Sequence, residues 1–328
     1  MTGQTELTRL RALLASFCLV ALVAGCTRCG GEREAPTVGD SAREASLEPS
    51  RAAYEAEIET WRAERRRRLE AEHGWLSVVG LHWLEPGERS FGSGELDDIR
   101  LPETDAAAAA GSLLFDGERV ELRPGSAADL TVGGEPVTAA RELRTDEHGQ
   151  PDIVQLGSLR FHIIRRAGRF GVRVKNPHSA ARANFRGLDY FPIDPAYRID
   201  ARFIAYAPLR EIEIPTVLGT SEKMLVPGYA EFELGGRSLR LEPVVSRPDD
   251  EKLFFIFKDQ TAGEQTYAAG RFLYADRERD ARVILDFNRA YNPPCAFTAF
   301  ATCPLPPRQN ILPVSIEAGE KKYAGEHY

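Results

Sequence analysis

Two cysteines, three asparagines, two arginines and five prolines crowd the stretch 286–310, DFNRAYNPPCAFTAFATCPLPPRQN. Those residue types support two chemistries. The first is thiol chemistry. Cys295 could serve as a nucleophile if a base and an orienting acid stood beside it. The chain holds six histidines, His73, His82, His148, His162, His178 and His327. His178, in the loop that follows KNP, is the best-placed base. His82 in GLHWL reads as a member of an aromatic cluster, and His162 in LRFHII as a solvent-facing strand residue. A Cys295–Cys303 disulfide is equally permitted outside the cytoplasm, with α-carbons about 4.4–6.8 Å apart.

The second chemistry is recognition. Asp286, Asn288, Arg289, Tyr291 and Asn292 can bond either backbone or a ligand. Pro293 and Pro294 fix φ and remove donors, so the path is stiff and the entropy lost on binding is small. Arg173, Lys175, Arg182, Tyr267 and Arg271 lie elsewhere in the chain and would complete a polar pocket. Guanidinium forks suit a carboxylate or phosphate. An inward Asp286 would need Arg271 or Arg289 as its partner. The same polar groups could instead plug the end of a barrel as a closed network. The one Cys-x-x-Cys, Cys26 to Cys29, lies in the N-terminal segment ahead of the folded body, and no Gly-x-Ser-x-Gly or His-Glu-x-x-His pattern is present, so neither a metal nor a cofactor is expected.

These groups need elements to hold them. After residue 74 the chain reads as short strands punctuated by turns at Asp116-Gly117, Gly133-Gly134, Ala167-Gly168 and Gly235-Gly236. Phe161, Ile163, Phe170, Val172 and Val174 alternate onto one face. KLFFIFKD, 252–259, suits a central strand. A proline-interrupted stretch at 191–207 marks a soft boundary. The expected fold is mainly β: two antiparallel β-sandwich or barrel-like lobes, 52–190 and 191–328, preceded by one amphipathic helix. No alternation with long helices supports a parallel nucleotide-binding sheet. The helix lies in YEAEIETWRAERRRRLEAEHG, 54–74, where Tyr54, Ile58, Trp61 and Leu69 form a stripe and Gly74 ends it. The basic run 65–68 reads as a solvated face balanced by nearby glutamates, with attraction to anionic lipid as the alternative.

The formal net charge of −7 over 328 residues argues against a general nucleic-acid partner. At the N-terminus, Arg9 and Arg11 precede an apolar run, 12–25, too short to span a bilayer. It ends in LVAGC, which resembles the bacterial lipobox. That resemblance implies a signal peptide over 1–25, a lipidated Cys26 and a flexible tether over 26–51. Thr27, in place of aspartate, favours the outer membrane where there is one. Cys18 would leave with the signal, and Cys29 lies in the tether.

The motifs GWLSVVGLHWLEPGERSFGS, RVKN, FRGLDYFPID, TYAAGRFL and the long C-terminal DFNRAYNPPCAFTAFATCPLPPRQNILPVSIEAGEK resemble the bacterial domain of unknown function family numbered 1684. The likeness runs from Trp61 to Lys321. It implies no activity. Members without an export signal hold matching cysteines, which points away from a disulfide as their sole role. Residues 89–176 are also similar to a forkhead-associated sandwich, without that family's Ser-x-x-His element, so phosphothreonine binding does not carry over. The expectation is a lipid-anchored envelope protein that binds a small anion between β lobes. A Cys295-dependent enzyme and a ligand-free structural protein are the alternatives.

Overall fold

The computed structural model describes residues 50–102, 108–126, 129–277 and 280–325. The signal, Cys26, His327 and all but the last two residues of the expected tether lie outside them. Arg51, expected as tether, already opens helix α1, Arg51–Glu70, where the Ser50 hydroxyl accepts from the Ala53 amide. Tyr54, Ile58 and Leu69 are buried, while Trp61 is half-buried. Four successive arginines cannot share a side of a helix. Arg65 turns inward with 13% side-chain exposure, while Arg66 and Arg68 pair with Glu70 and Glu64. The helix ends where Gly74 folds back so closely that a Cβ there would run into the carbonyls of Arg68 and Leu69. None of the helices in the described residues is long and apolar enough to cross a membrane.

The first half is a sandwich of two sheets. Six strands run in the order Val78–Trp83, Arg169–Lys175, Leu159–Arg166, Val154–Leu156, Leu130–Val132, Glu135–Pro136. Facing them are five strands in the order Ile99–Arg100, Gly87–Gly92, Gly111–Phe115, Val120–Pro124, Arg141–Leu143. Their inner faces share one core, in which Phe91 meets Phe161 edge to face at 5.3 Å. The alternation read from 159–175 holds: Phe161, Ile163, Phe170, Val172 and Val174 are all buried. The opposite face carries His162 directly across from Arg173. His162, expected in solvent, is instead half-buried beneath other parts of the chain.

The second half pairs a four-stranded sheet, ordered Arg237–Leu241, Ser221–Leu234, Arg198–Pro215, Arg282–Asp286, with the hairpin of Lys252–Phe257 and Arg271–Asp276. Ladder pairing between Arg198–Pro215 and Ser221–Leu234 slips between Ala205 and Arg210, where Ala207–Pro208 is cis. Opposite the slip, Gly228 has φ +158 and a Cβ on it would strike Ile204 O. Phe255, Phe257 and Leu273 fill the core between sheet and hairpin. Strands pair antiparallel in both halves except for the short Ile99–Arg100, which runs parallel to Gly87–Gly92, and neither half closes into a barrel. Helix α1 is continuous in sequence with the sandwich, yet Tyr54 and Arg65 anchor it to the second half.

Candidate functional site

The stretch 286–310 leaves Arg282–Asp286 and runs between helix and sheets, and most of its polar groups bond within the protein. Asp286 is 7% exposed and accepts from Tyr54 Oη at 2.8 Å and from Arg289 Nε at 3.2 Å. Arg289 also pairs with Glu57 of the helix. Asn288 is fully buried; its Nδ2 donates to Asp194 O at 2.8 Å and its Oδ1 accepts from Asp194 N at 3.1 Å. The Asn292 amide donates to Glu320 Oε2, and Glu320 Oε1 takes Arg65 Nε at 2.8 Å. Asn310 bridges the carbonyls of Glu242 and Ile256. The stretch is thus a staple that secures helix α1 and the C-terminal segment.

Arg271 does not meet Asp286. It is 1% exposed and pairs with buried Asp259 at 3.3 Å, while also donating to the carbonyls of Ile316 and Ala318. Burial lowers its pKa. Arg182 donates to Glu70 O at 2.7 Å and so caps the helix C-terminus. Tyr267 donates to Cys295 O at 2.9 Å.

Cys295 and Cys303 are free thiols rather than a disulfide. Cys303 Sγ accepts from the Cys295 amide at 3.2 Å, a position fixed by the turn Pro294–Ala296. Hydrogen bonding with Cys303 lowers the Cys295 pKa, and the same interaction with burial raises that of Cys303. His178 is exposed, with its amide on Asn176 Oδ1, and no hydrogen bond joins it to Cys295 among the described residues. No group of three or more His, Cys, Asp or Glu side chains suited to a metal occurs among them either.

The open site lies beside this staple, between the two halves. Three adjoining cavities of about 920, 450 and 410 Å³ share Tyr274 as a wall. Phe254, Phe272, Tyr274 and Tyr291 from the second half face Trp75 from the first, and Trp61 of the helix closes one side. Tyr274 is 50% exposed and stacks on Phe254 at 4.7 Å. Arg65 lies 4.7 Å over the Tyr291 ring. Cations stand along the edge: Lys252 and Arg289 at one end, Lys175 at the other beside His73, whose pKa burial and Arg160 lower, and Arg65 and Arg68 between them. Arg68 and Lys252 sit in exposed pairs with Glu64 and Asp276. Such pairs are worth about 0–1 kcal/mol, so they can exchange partners readily.

The structure therefore brings Lys175, Arg289 and Tyr291 of the expected set to one groove. Arg173 stands behind it with its guanidinium 5.1 Å from the Trp75 ring. Asp286, Asn288, Asn292, Tyr267, Arg182 and Arg271 are engaged internally. Sequence reading missed Arg65, Arg68, Tyr274, Phe254, Phe272 and Trp75. One signal was present: Trp61, Arg65 and Arg68 stand at i, i+4 and i+7, which is one helix face.

Fold and groove together define a helix-buttressed, mainly β protein with an aromatic cleft between its halves. Residues 183–321 match the family described as Protein of unknown function (DUF1684), and the chain belongs to it. The matched segment is narrower than the likeness read from the motifs, since GWLSVVGLHW falls outside it. Similar solved structures include the solution NMR structure of an uncharacterized protein of Haloarcula marismortui, 34% identical over 43% of this chain and 78% of that one, TM-score 0.38. The FhaA FHA domain complexed with the intracellular domain of Rv3910 is 21% identical over 29% of this chain and 97% of that one, TM-score 0.21. An FHA domain from a study of phosphothreonine-dependent interactions is 20% identical over 30% and 95%, TM-score 0.21. Among curated proteins none matches the chain.

Proposed function

We propose that the chain is a lipid-anchored envelope protein whose groove binds a small amphiphilic anion. The observation that carries the binding reading is the meeting of three cavities at the half-exposed Tyr274 ring, with aromatic walls and cations along the edge. Covering 100 Å² of such wall stabilises a complex by about 2.5 kcal/mol before binding entropy is charged against it. Cations at the edge then select for an acid group. The anchor reading is supported by Arg9 and Arg11, the apolar run 12–25 and the LVAGC ending. A lipid at Cys26 would hold the groove at a membrane surface, outside the cytoplasm.

A thermal-shift panel of aromatic and alkyl carboxylates and phosphates tests the groove. At least one amphiphilic anion is expected to raise the melting temperature, and Tyr274→Ser to abolish the rise. A panel without any response removes the reading. Metabolic labelling with an alkyne fatty acid tests the anchor, with label expected on the chain and absent from Cys26→Ala.

A further inference from the structure

The cations around the groove differ in one respect: whether a carboxylate already holds them. At the outer end and midway along the groove each one has a partner. Arg68 has Glu64, Lys252 has Asp276, Arg289 has Asp286 and Glu57, and Arg65 has Glu320. At the inner end, beyond Trp75, the described residues show no carboxylate paired with Lys175, Arg160 or Arg173. Lys175 donates only to the carbonyl of His73 at 2.7 Å. Arg160 meets His73 Nε2. Arg173 is 4% exposed; its Nε has no partner, and its one polar contact is Thr302 Oγ1 at 3.4 Å. Asp146, whose field reaches Arg173, is committed to Arg166 through both oxygens. His73 Nδ1 is buried without a partner as well. Among the described residues His73 pairs with one acid, the exposed Glu72, 3.9 Å away.

Buried cations without counter-charge are costly. Burial and mutual repulsion lower Lys175, and burial with Arg166 lowers Arg173 to about 10. A ligand anion would offset that cost here, whereas at the outer end it would first have to displace a carboxylate. The mouth beyond Tyr274 is mixed in charge, with Glu147, Asp249, Asp250 and Glu251 among its walls. The groove therefore has a direction, with cations that lack acid partners at the Trp75 end and charges of both signs, Lys223, Arg247 and Lys252 included, at the other.

We infer that the inner end, formed by Lys175, His73 and Arg160 with Arg173 behind Trp75, is a subsite for a doubly charged phosphate monoester whose apolar or aromatic body lies along Phe254, Phe272 and Tyr274. This rests on the reading of the groove as an anion site. A phosphomonoester carries close to two charges at neutral pH and three acceptor oxygens, which matches several donors better than a carboxylate does.

Calorimetric titration with 1-naphthyl phosphate, 1-naphthoate and inorganic phosphate tests it, on the intact chain and on Lys175→Met, Arg160→Gln and Lys252→Met. Naphthyl phosphate should bind about tenfold more tightly than naphthoate, as one additional charge-assisted bond would give. Lys175→Met and Arg160→Gln should each erase that margin, and Lys252→Met should leave it. Circular-dichroism melts confirm that each variant is folded, and Arg160→Gln carries the test if Lys175→Met is not. If Lys252→Met alone weakens binding, the acid sits at the outer end and the inference fails while the groove reading stands. Equal affinity for phosphate and carboxylate overturns the doubly charged assignment. If neither naphthyl compound binds, the groove reading falls first and takes the inference with it. If inorganic phosphate binds as tightly as naphthyl phosphate, the apolar body contributes nothing and the groove reading fails.

Discussion

The Arg271–Asp259 knot and the Tyr274 groove are built from the same kinds of residue, arginines set beside acids, amides and aromatics, with opposite results. In the knot Arg271 is 1% exposed, faces Asp259 and lies 5.3 Å from the Phe257 ring, with carbonyls 316 and 318 taking further donors. In the groove, rings such as Tyr274 are half open, and Lys175 and Arg160 pair with no carboxylate among the described residues. Both Arg271 and Arg173 leave Nε without a partner, so what separates the two regions is the carboxylate: a buried cation held by its own acid marks structure, and one without an acid beside open aromatic surface marks a place for something else to bind.

The contrast makes its largest prediction at the knot. Arg271→Ala leaves Asp259 buried without its cation, which costs about 3–5 kcal/mol. Urea denaturation should show that loss. A change below about 1 kcal/mol would mean the knot is not structural, and the contrast would lose one side.

Next in size is a pH effect on the outer sandwich face. Burial, with Lys175 and Arg173, pushes the His162 pKa down to about 4. A histidine whose folded pKa lies below its unfolded value of about 6.5 binds protons more readily when unfolded. Its neutral state is fully compatible with folding above pH 6.5, and stability is lost as pH falls from there toward 4. The loss amounts to roughly 3 kcal/mol at most. Asp146, held below the usual carboxylate range by its hydrogen bonds and charge pairing with Arg166 against the opposing effect of burial, loses its contribution at still lower pH. Denaturant midpoints of the intact chain should fall between pH 6.5 and 4.5, and His162→Gln should flatten that slope.

How much of this could be read from residue order follows from the range of the interactions. The stripe Tyr54, Ile58 and Leu69 and the alternation of Phe161, Ile163, Phe170, Val172 and Val174 are local periodicities, and both emerged as written. Period also placed His162 and Arg173 on the opposite face, without saying what would cover that face. Asp286 was expected to need Arg271 or Arg289; the nearer choice in sequence is the one that pairs. The groove joins Trp75, Lys175, Phe254 and Tyr274, which meet only because two sheets and a helix dock. Pattern fixes the face a side chain takes, while docking fixes which faces meet.

The thiols offer a smaller test of the same division between closed and open. Cys303 is 5% exposed within the cluster between the halves, whereas Cys295 is only partly buried. Thiolate character and access govern alkylation, and both favour Cys295. Iodoacetamide should label Cys295 in the folded chain and reach Cys303 only in denaturant, as read by peptide mass spectrometry. Equal labelling would mean the segment opens freely and is not a staple. Failure of both to label would indicate that they had been oxidised to a disulfide.

The smallest effect belongs to the groove's outer edge. Arg68→Met removes an exposed pair with Glu64, and Tyr274→Ser removes a half-exposed ring. Surface pairs contribute about 0–1 kcal/mol. Since methionine keeps the apolar stem and the helical preference of arginine, stability should move by no more than roughly 0.5 kcal/mol. Tyr274→Ser loses its stack on Phe254 but little buried area, so its stability cost should stay near 1 kcal/mol while ligand affinity falls by about tenfold or more. That dissociation is what separates a binding surface from a structural one. If Tyr274→Ser unfolded the chain as severely as Arg271→Ala, the ring would be part of the core, and the groove would be a second closed region seen at its edge.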